Sequence, residues 1–335
     1  MPPDGIDAAD IMRMAEAASL ARDLINTPPN DMGPEELASA AQALATRFGA
    51  SFNCIVGDDL TRQNFPLIHA VGMASSRAPR LIDLTWGDPD HPKVTLVGKG
   101  VCFDSGGLDL KPSSGMLIMK KDMGGAASAL ALASMIMDAQ LPLRLRVIIP
   151  IVENAIAGNA FRPGDIYRSR KGLTVEIGNT DAEGRLILAD ALALADEEEP
   201  DLLFDFATLT GAARIALGPD LPPMYSDDDA LAAACLEHSR KVHDPIWRMP
   251  LWMPYDKQLD GKLSDLVNVS SGPLAGSITA ALFLRRFVER AKAWAHFDVY
   301  AWTPKPLPGR PEGGEVQVAR LLFSMLANGY AQKRR

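Results

Sequence analysis

Hydrophobic positions follow two different periods along the chain. Short apolar runs rich in β-branched residues predict buried strands. These runs span residues 52–56, 67–71, 81–86, 94–98, 143–152, 173–177, 202–207 and 295–300. Leu and Ala at helical spacing predict helices over residues 8–26, 35–48, 124–139, 185–198, 228–241, 276–291 and 316–327. Because helices separate many of the strands, we expect an α/β fold in which helices sandwich a mixed, largely parallel central sheet.

Composition and charge narrow the class of protein. With 47% hydrophobic residues over 335 positions, the chain has enough apolar material for a large core. No apolar run approaches the roughly 20 residues that span a bilayer. The N-terminus also lacks a basic region followed by an apolar one, so we expect a cytoplasmic protein without membrane contact. The formal charge of −8 argues against a nucleic-acid-binding surface.

Cysteine and histidine show neither a disulfide framework nor a common zinc motif. Cys54, Cys102 and Cys235 are isolated along the chain, which fits reduced thiols. The five histidines are scattered and form no HExxH pair, so the sequence does not indicate a single-zinc protease. We therefore expect any metal site to be rich in oxygen ligands.

An acidic stretch lies where an extended run becomes a helix. Asp181 and Glu183 follow the predicted strand 173–177 and precede the predicted helix 185–198, with Arg185 at its start. Converging carboxylates favour a cation between them. An ordinary acidic first turn of a helix, which complements the helix dipole, is the plain alternative. A second acidic cluster lies upstream, and it favours a cation-binding site over an ordinary helix start.

Three segments of the chain together form a recognisable pattern. Residues 97–112 read VGKGVCFDSGGLDLKP, residues 119–127 read MKKDMGGAA and residues 179–186 read NTDAEGRL. In this order and spacing they resemble the leucyl (cytosol) aminopeptidase family, the M17 dinuclear metallopeptidases. Further similar segments make the resemblance cover essentially the whole chain, whereas residues 309–315 depart from the commonest family ending.

The resemblance also implies a domain organisation. Residues 1–335 correspond to a single M17-like catalytic domain, in which residues 1–34 form an N-terminal helix and a linker. Members of the family usually carry a further N-terminal domain, and we expect it to be absent from this chain.

The resemblance implies a metal site with five ligands. They are Lys99, Asp104, Asp122, Asp181 and Glu183. Four carboxylates balance two divalent cations, which lie roughly 3.5–4 Å apart in such sites. Lys99 must be neutral to act as a ligand, so a nearby cation has to lower its pKa. Oxygen ligands do not fix the metal, and the family implies Zn or Mn, two ions per subunit.

The remaining site residues are also assigned by the resemblance. Lys111 and Arg185 are the catalytic residues: Lys111 stabilises the oxyanion and Arg185 holds a bicarbonate that relays the proton. The substrate-binding residues are Met119, Asn179, Thr208 and Gly211.

The resulting functional prediction is a metal-dependent aminopeptidase. It removes a neutral, Leu-like N-terminal residue from peptides with water activated by two metal ions, and it forms a homo-oligomer, a hexamer by resemblance. Acidic N-terminal residues are expected to be poor substrates, because no cation is assigned to meet their side chains. The alternative is a DNA-binding or architectural oligomer of the same fold, which the acidic balance of the chain disfavours.

Two further motifs are misleading. The run Asp104-Ser105-Gly106-Gly107 also occurs around serine nucleophiles, but that chemistry needs a His and an Asp on antiparallel β-barrels. Gly98-Lys99-Gly100 is not followed by Ser or Thr and therefore fails as a phosphate loop.

Overall fold

The secondary structure alternates between strands and helices, as the computed structural model of residues 8–334 shows. The strands are β1 Ser51–Val56, β2 Arg80–Trp86, β3 Lys93–Gly98, β4 Gly100–Asp104, β5 Arg144–Asn154, β6 Ile166–Arg168, β7 Thr174–Glu176, β8 Leu202–Ala207, β9 Pro223–Tyr225, β10 Trp247–Arg248, β11 Leu266–Val267, β12 Trp294–Asp298, β13 Trp302–Thr303 and β14 Gly313–Gly314. The α-helices are α1 Ala8–Asn26, α2 Pro34–Phe48, α3 Asp59–Arg62, α4 Pro66–Gly72, α5 Ser113–Met116, α6 Gly124–Asp138, α7 Glu183–Asp196, α8 Gly211–Leu217, α9 Asp229–Lys241, α10 Gly276–Arg285, α11 Ala319–Ala327 and α12 Tyr330–Arg334, and 3-10 helices span Met119–Met123 and Met253–Leu259.

The main sheet has its parallel strands at the centre. Its order is β1-β2-β5-β3-β8-β12-β9-β10, and β4 also pairs with β5. The strands β5, β3, β8 and β12 run parallel to one another. β2 is antiparallel to β5, and β9 is antiparallel to β12. The predicted mixed, largely parallel sheet is confirmed.

Helices cover both faces of this sheet. Along β8, Leu202, Phe204 and Phe206 belong to a core with α1, α6 and α11. The alternate residues Leu203 and Ala207 belong to a second core with α4, α7 and α10. This alternation follows from the two-residue period of a strand, and it confirms the predicted sandwich. No helix within residues 8–334 is long and apolar enough to cross a membrane.

Most of the predicted elements are present, but α10 is shorter than predicted. It ends at Arg285, whereas the pattern predicted a helix to residue 291. The carboxylate of Asp196 accepts hydrogen bonds from the backbone amides of Glu289, Arg290 and Ala291, which fixes this segment in a turn. A contact from the distant helix α7 therefore replaces the last predicted turns of α10.

The strand predicted at 67–71 is wrong, because this segment forms helix α4. Pro66 is its first residue, a position at which the missing N–H costs nothing. Asp190 of α7 accepts hydrogen bonds from the amides of Leu67 at 2.8 Å and Ile68 at 3.3 Å. A short apolar run does not distinguish a strand from a buried helix, and here a distant carboxylate decides.

Replacing Asp190 tests this capping role. Its other oxygen accepts the Arg170 amide at 2.7 Å, so Asp190→Ala leaves three buried or half-buried amides without their acceptor. We expect a loss of about 3 kcal/mol or more in the free energy of unfolding, since each unpaired amide costs about 1–3 kcal/mol. The control Asp59→Ala, which breaks an exposed pair with Arg62, should cost at most about 1 kcal/mol. Urea unfolding measures both variants, and equal costs would contradict the capping role.

Candidate metal centre

Three carboxylates meet in the interior at the ends of separate elements. Asp104 ends β4, Asp122 lies in the 3-10 helix before α6, and Glu183 begins α7. Ligand oxygens of the three lie within 4.8 Å of one another, and all three residues are at most 3% exposed. Such closely packed carboxylates repel one another unless positive charge lies between them.

Lys99 supplies part of this positive charge. Its Nζ lies 2.8 Å from Asp122 Oδ2 and 2.9 Å from Glu183 Oε1, and it donates a hydrogen bond to the carbonyl of Thr208 at 3.0 Å. Burial lowers the pKa of Lys99, but Asp122, Glu183 and Asp104 oppose this effect and raise it above its usual value. A lysine in this environment is an ammonium, so it becomes a metal ligand only if bound cations reverse the local field.

The backbone around Lys99 is fixed by close packing. Its amide donates to the carbonyl of Phe206 at 2.9 Å, and its carbonyl accepts from the amide of Ala126 at 2.9 Å. The side chain passes over Gly184, where a Cβ would lie only 2.5 Å from the lysine Cε. A side chain at position 184 would therefore displace Lys99 from Glu183.

The donor set fits divalent cations. Asp122 Oδ2 and Glu183 Oε1 are buried and, apart from the ion pairs with Lys99, receive no hydrogen bond from residues 8–334. Burial, followed by the negative charge of the nearby Asp104, raises the pKa of Glu183 to about 8. Buried carboxylate oxygens with free lone pairs are the ligands that Mn and Mg prefer and that Zn accepts.

Asp181 lies at the rim of this cluster rather than among the three buried carboxylates. Its side chain is 34% exposed, and burial followed by the charge of Asp104 raises its pKa to about 6. Lys111 links the rim to the interior, because its Nζ lies 2.8 Å from Asp104 Oδ2 and also pairs with Asp181 Oδ1. Burial lowers the pKa of Lys111, but Asp104 and Glu183 raise it above its usual value.

A hydrogen-bond network holds the two ligand-bearing loops together. Asn154 Nδ2 donates to Asp104 Oδ1 at 2.9 Å and to the carbonyl of Thr180 at 3.0 Å. Thr180 in turn donates to the carbonyl of Gly106 at 2.6 Å, and Asp109 accepts its amide at 2.7 Å. Sequence reasoning missed these supporting residues, although Asn154 ends a long buried strand where such ligand supports occur.

A cavity of about 500 Å³ opens beside the cluster. Of the predicted substrate-binding residues, Met119, Thr208 and Gly211 line it. Asn179 does not line it, and its Oδ1 instead accepts the amide of Asp181 at 2.7 Å. Thr208 also donates to Asp122 Oδ1 at 2.6 Å, so it contacts both the cavity and the cluster.

Four charged or aromatic residues are among the others that line this cavity. The predicted catalytic residue Arg185 lines the cavity; its Nη1 donates to the carbonyl of Asn268 at 2.6 Å, and its Nε has no partner within residues 8–334. Burial lowers the pKa of Arg185 to about 10. Sequence reasoning did not single out Lys121, Arg214 or Tyr300, which also line the cavity.

Comparison with known proteins gives one consistent result. The cytosol aminopeptidase family, catalytic domain, matches residues 19–323. A probable cytosol aminopeptidase of Syntrophotalea carbinolica is 44% identical over 317 residues, covering 93% of this chain and 63% of that protein. Peptidase B of Pectobacterium carotovorum is 44% identical over 289 residues, covering 84% of this chain and 66% of that protein. The chain thus spans about two thirds of the length of these relatives.

Solved structures agree with the sequence relatives. The cytosol aminopeptidase of Coxiella burnetii has 56% identity and a TM-score of 0.94, covering 96% of this chain and 70% of that one. The bottromycin maturation enzyme BotP in complex with Mn has 39% identity and a TM-score of 0.93, covering 98% of this chain and 73% of that one. Both similarities extend over almost all of the fold described above.

Glu183→Gln tests the metal centre, because it keeps the shape of the side chain and removes one buried charge. We expect the variant to bind Mn or Zn about tenfold or more weakly, since divalent binding depends on the ionised ligands. The matched control Glu176→Gln, in β7 outside the cluster, should keep its metal. Elemental analysis after dialysis against a chelator gradient measures the affinity, and full metal retention in Glu183→Gln would contradict the assignment.

Proposed function

The chain belongs to the cytosol aminopeptidase family, and on this basis we propose that it hydrolyses the first peptide bond of peptides and releases a neutral, Leu-like N-terminal residue. The observation that carries this proposal is the buried cluster of Asp104, Asp122 and Glu183 beside a cavity of about 500 Å³. A cavity of this size holds a side chain and the adjoining peptide bond.

Five residues hold the proposed cofactors, two divalent ions per subunit. They are Lys99, Asp104, Asp122, Asp181 and Glu183. When bound, Zn or Mn ions polarise the scissile carbonyl and lower the pKa of the attacking water. BotP is described in complex with Mn, and the oxygen-rich donor set of this chain suits the same ion.

Two cationic residues remain for catalysis. Lys111 lies beside Asp104 and faces the cavity, where its charge meets the negative charge that develops on the scissile carbonyl oxygen. Arg185 is held by the carbonyl of Asn268, and its unpaired Nε suits it to hold a bicarbonate that relays a proton. Neither role needs a protein nucleophile.

The cavity walls account for the proposed side-chain preference. Met119, Thr208 and Gly211 offer a flexible thioether beside small groups, which accept an aliphatic first residue. Asn179 contributes indirectly, because it fixes the loop that carries Asp181. We further propose that the whole chain acts as one catalytic domain.

The setting of this activity is also proposed by family analogy. We place the protein in the cytoplasm as a homo-oligomer, a hexamer, and a monomer mass by light scattering would contradict the oligomer. The alternative function, DNA binding, is not favoured, because the chain carries a net charge of −8.

Hydrolysis of leucine p-nitroanilide tests the activity. We expect no turnover by metal-stripped protein and restored turnover after Mn or Zn is added, with about two ions bound per chain. N-acetyl-leucine p-nitroanilide is the control, and it should be inert because the free α-amino group is required. Rapid cleavage of the acetylated substrate would contradict an aminopeptidase.

Lys111→Ala separates a catalytic role from metal binding. We expect kcat to fall by about 10² or more, because the lost charge acts on the transition state. The metal content should stay near that of the unmodified protein, since the five ligands remain. Elemental analysis and steady-state kinetics on one preparation check both points, and loss of metal would show that Lys111 supports the ligands instead.

A further inference from the structure

A fully buried asparagine from another part of the chain contacts the segment that carries Asp181. This segment, residues 178–182, connects β7 to α7, and we call it the ligand loop. Asn268 directly follows β11, and its amide donates to the carbonyl of Glu176 at 3.0 Å. That bond continues the parallel pairing of β11 with β7. Asn268 is therefore placed against the ligand loop by the small sheet that precedes it.

The side chain of Asn268 spends its whole hydrogen-bonding capacity on the ligand loop. Its Oδ1 accepts the amides of Gly178 at 2.7 Å and Asn179 at 3.2 Å. Its Nδ2 donates to the carbonyls of Asn179 at 2.7 Å and Ala182 at 3.3 Å. An asparagine amide offers two donors and two acceptor lone pairs, so a single side chain holds both ends of the loop.

These bonds extend to the carboxylate at the rim of the cluster. Asn179 Oδ1 accepts the amide of Asp181 at 2.7 Å, so the backbone position of Asp181 depends on Asn268 through Asn179. The buried Asp104 differs, because Asn154 supports its side chain directly. Loss of the Asn268 side chain should therefore disturb Asp181 more than it disturbs the buried carboxylates.

The backbone of Asn268 contacts a second residue of the site. Its carbonyl accepts a hydrogen bond from Arg185 Nη1 at 2.6 Å, and the side-chain bonds to the ligand loop fix the position of that carbonyl. Asn268 itself does not line the cavity. One residue outside the cavity thus holds both the loop of Asp181 and the guanidinium of Arg185.

Close packing leaves this contact little freedom. A Cβ at Gly178 would lie 2.7 Å from Cγ2 of Val269 and 3.0 Å from Cγ1 of Val267. These two valines flank Asn268 in the chain, so a larger residue at position 178 would push the loop away from them. The absence of a side chain at Gly178 is what allows the backbone to approach within hydrogen-bonding distance of Asn268.

We propose that Asn268 is a positioning residue of the metal centre, which holds Asp181 and Arg185 in place relative to the buried carboxylates. This inference rests on the proposed aminopeptidase function and its five ligands. Asn268 acts through Asn179 and through its own carbonyl. A residue that only braced the fold would lower the free energy of unfolding and leave the metal affinities of the folded chain unchanged.

Asn268→Ala tests this role by titration of chelator-treated, folded protein with Mn. We expect one of two ions to bind about tenfold or more weakly and the other to change less than about threefold, because loss of a residue that orients a ligand costs about 10–100-fold in affinity. Calorimetry gives the affinities, and elemental analysis gives the ions per chain. At saturating Mn, kcat for leucine p-nitroanilide should fall about tenfold or more with KM within about threefold, since Asn268 does not line the cavity. Equal weakening of both ions, or none, would overturn the proposal.

A second variant displaces the loop while Asn268 stays in place. Gly178→Ala puts a methyl group against Val267 and Val269, so it should weaken the binding of the same single ion. This variant carries the test if Asn268→Ala does not fold. Unchanged Mn binding by folded Gly178→Ala would overturn the proposal.

The matched control is Asn159→Ala, which removes an exposed asparagine whose Nδ2 donates to the carbonyl of Met73 at 2.7 Å. It should leave both Mn affinities unchanged, and an equal loss in Asn159→Ala and Asn268→Ala would overturn the assignment. The unmodified protein separates the two proposals. If it binds two Mn ions and Asn268→Ala behaves identically, only this inference fails; if it binds no Mn, the proposed function fails and the inference fails with it.

Discussion

The burial of like charges at the ends of the central elements is the constraint on which this structure depends. Asp104, Asp122 and Glu183 lie within 4.8 Å of one another in the interior, where their mutual repulsion is weakly screened. Lys99 and Lys111 offset this repulsion by inserting their ammonium groups between the carboxylates. The arrangement is favourable only where positive charge is available, which is why it suits divalent cations.

The sheet makes this burial possible by delivering each charged residue from a different rigid element. Adjacent parallel strands β3, β5 and β8 fix the backbone of Lys99 and the ends of the neighbouring loops. Asn154 at the end of β5 then joins the loop after β4 to the loop before α7 through Asp104 and Thr180. Hydrogen bonds of this kind orient the ligand side chains, so the site is preorganised.

Charge is distributed unevenly between the two ends of the cavity. At the cluster, carboxylates exceed the ammonium groups that pair with them, whereas the cations Lys121 and Arg214 lie around the Tyr300 ring and Arg214 pairs with Asp298. The same cavity is thus lined by acidic residues of the cluster and by the basic residues Lys121 and Arg214.

The sequence by itself determined the α/β class, most of the helices and strands, and the identity of the cluster residues, because periodicity and closely spaced motifs are local properties. It did not determine the helix at 67–71 or the early end of α10, since carboxylates from distant elements, Asp190 and Asp196, decide both. Nor did it single out Asn154, Lys121 or Arg214. Their contacts form only when chain folding places them beside Asp104 and Tyr300, and such long-range proximity leaves no periodic signal in the sequence.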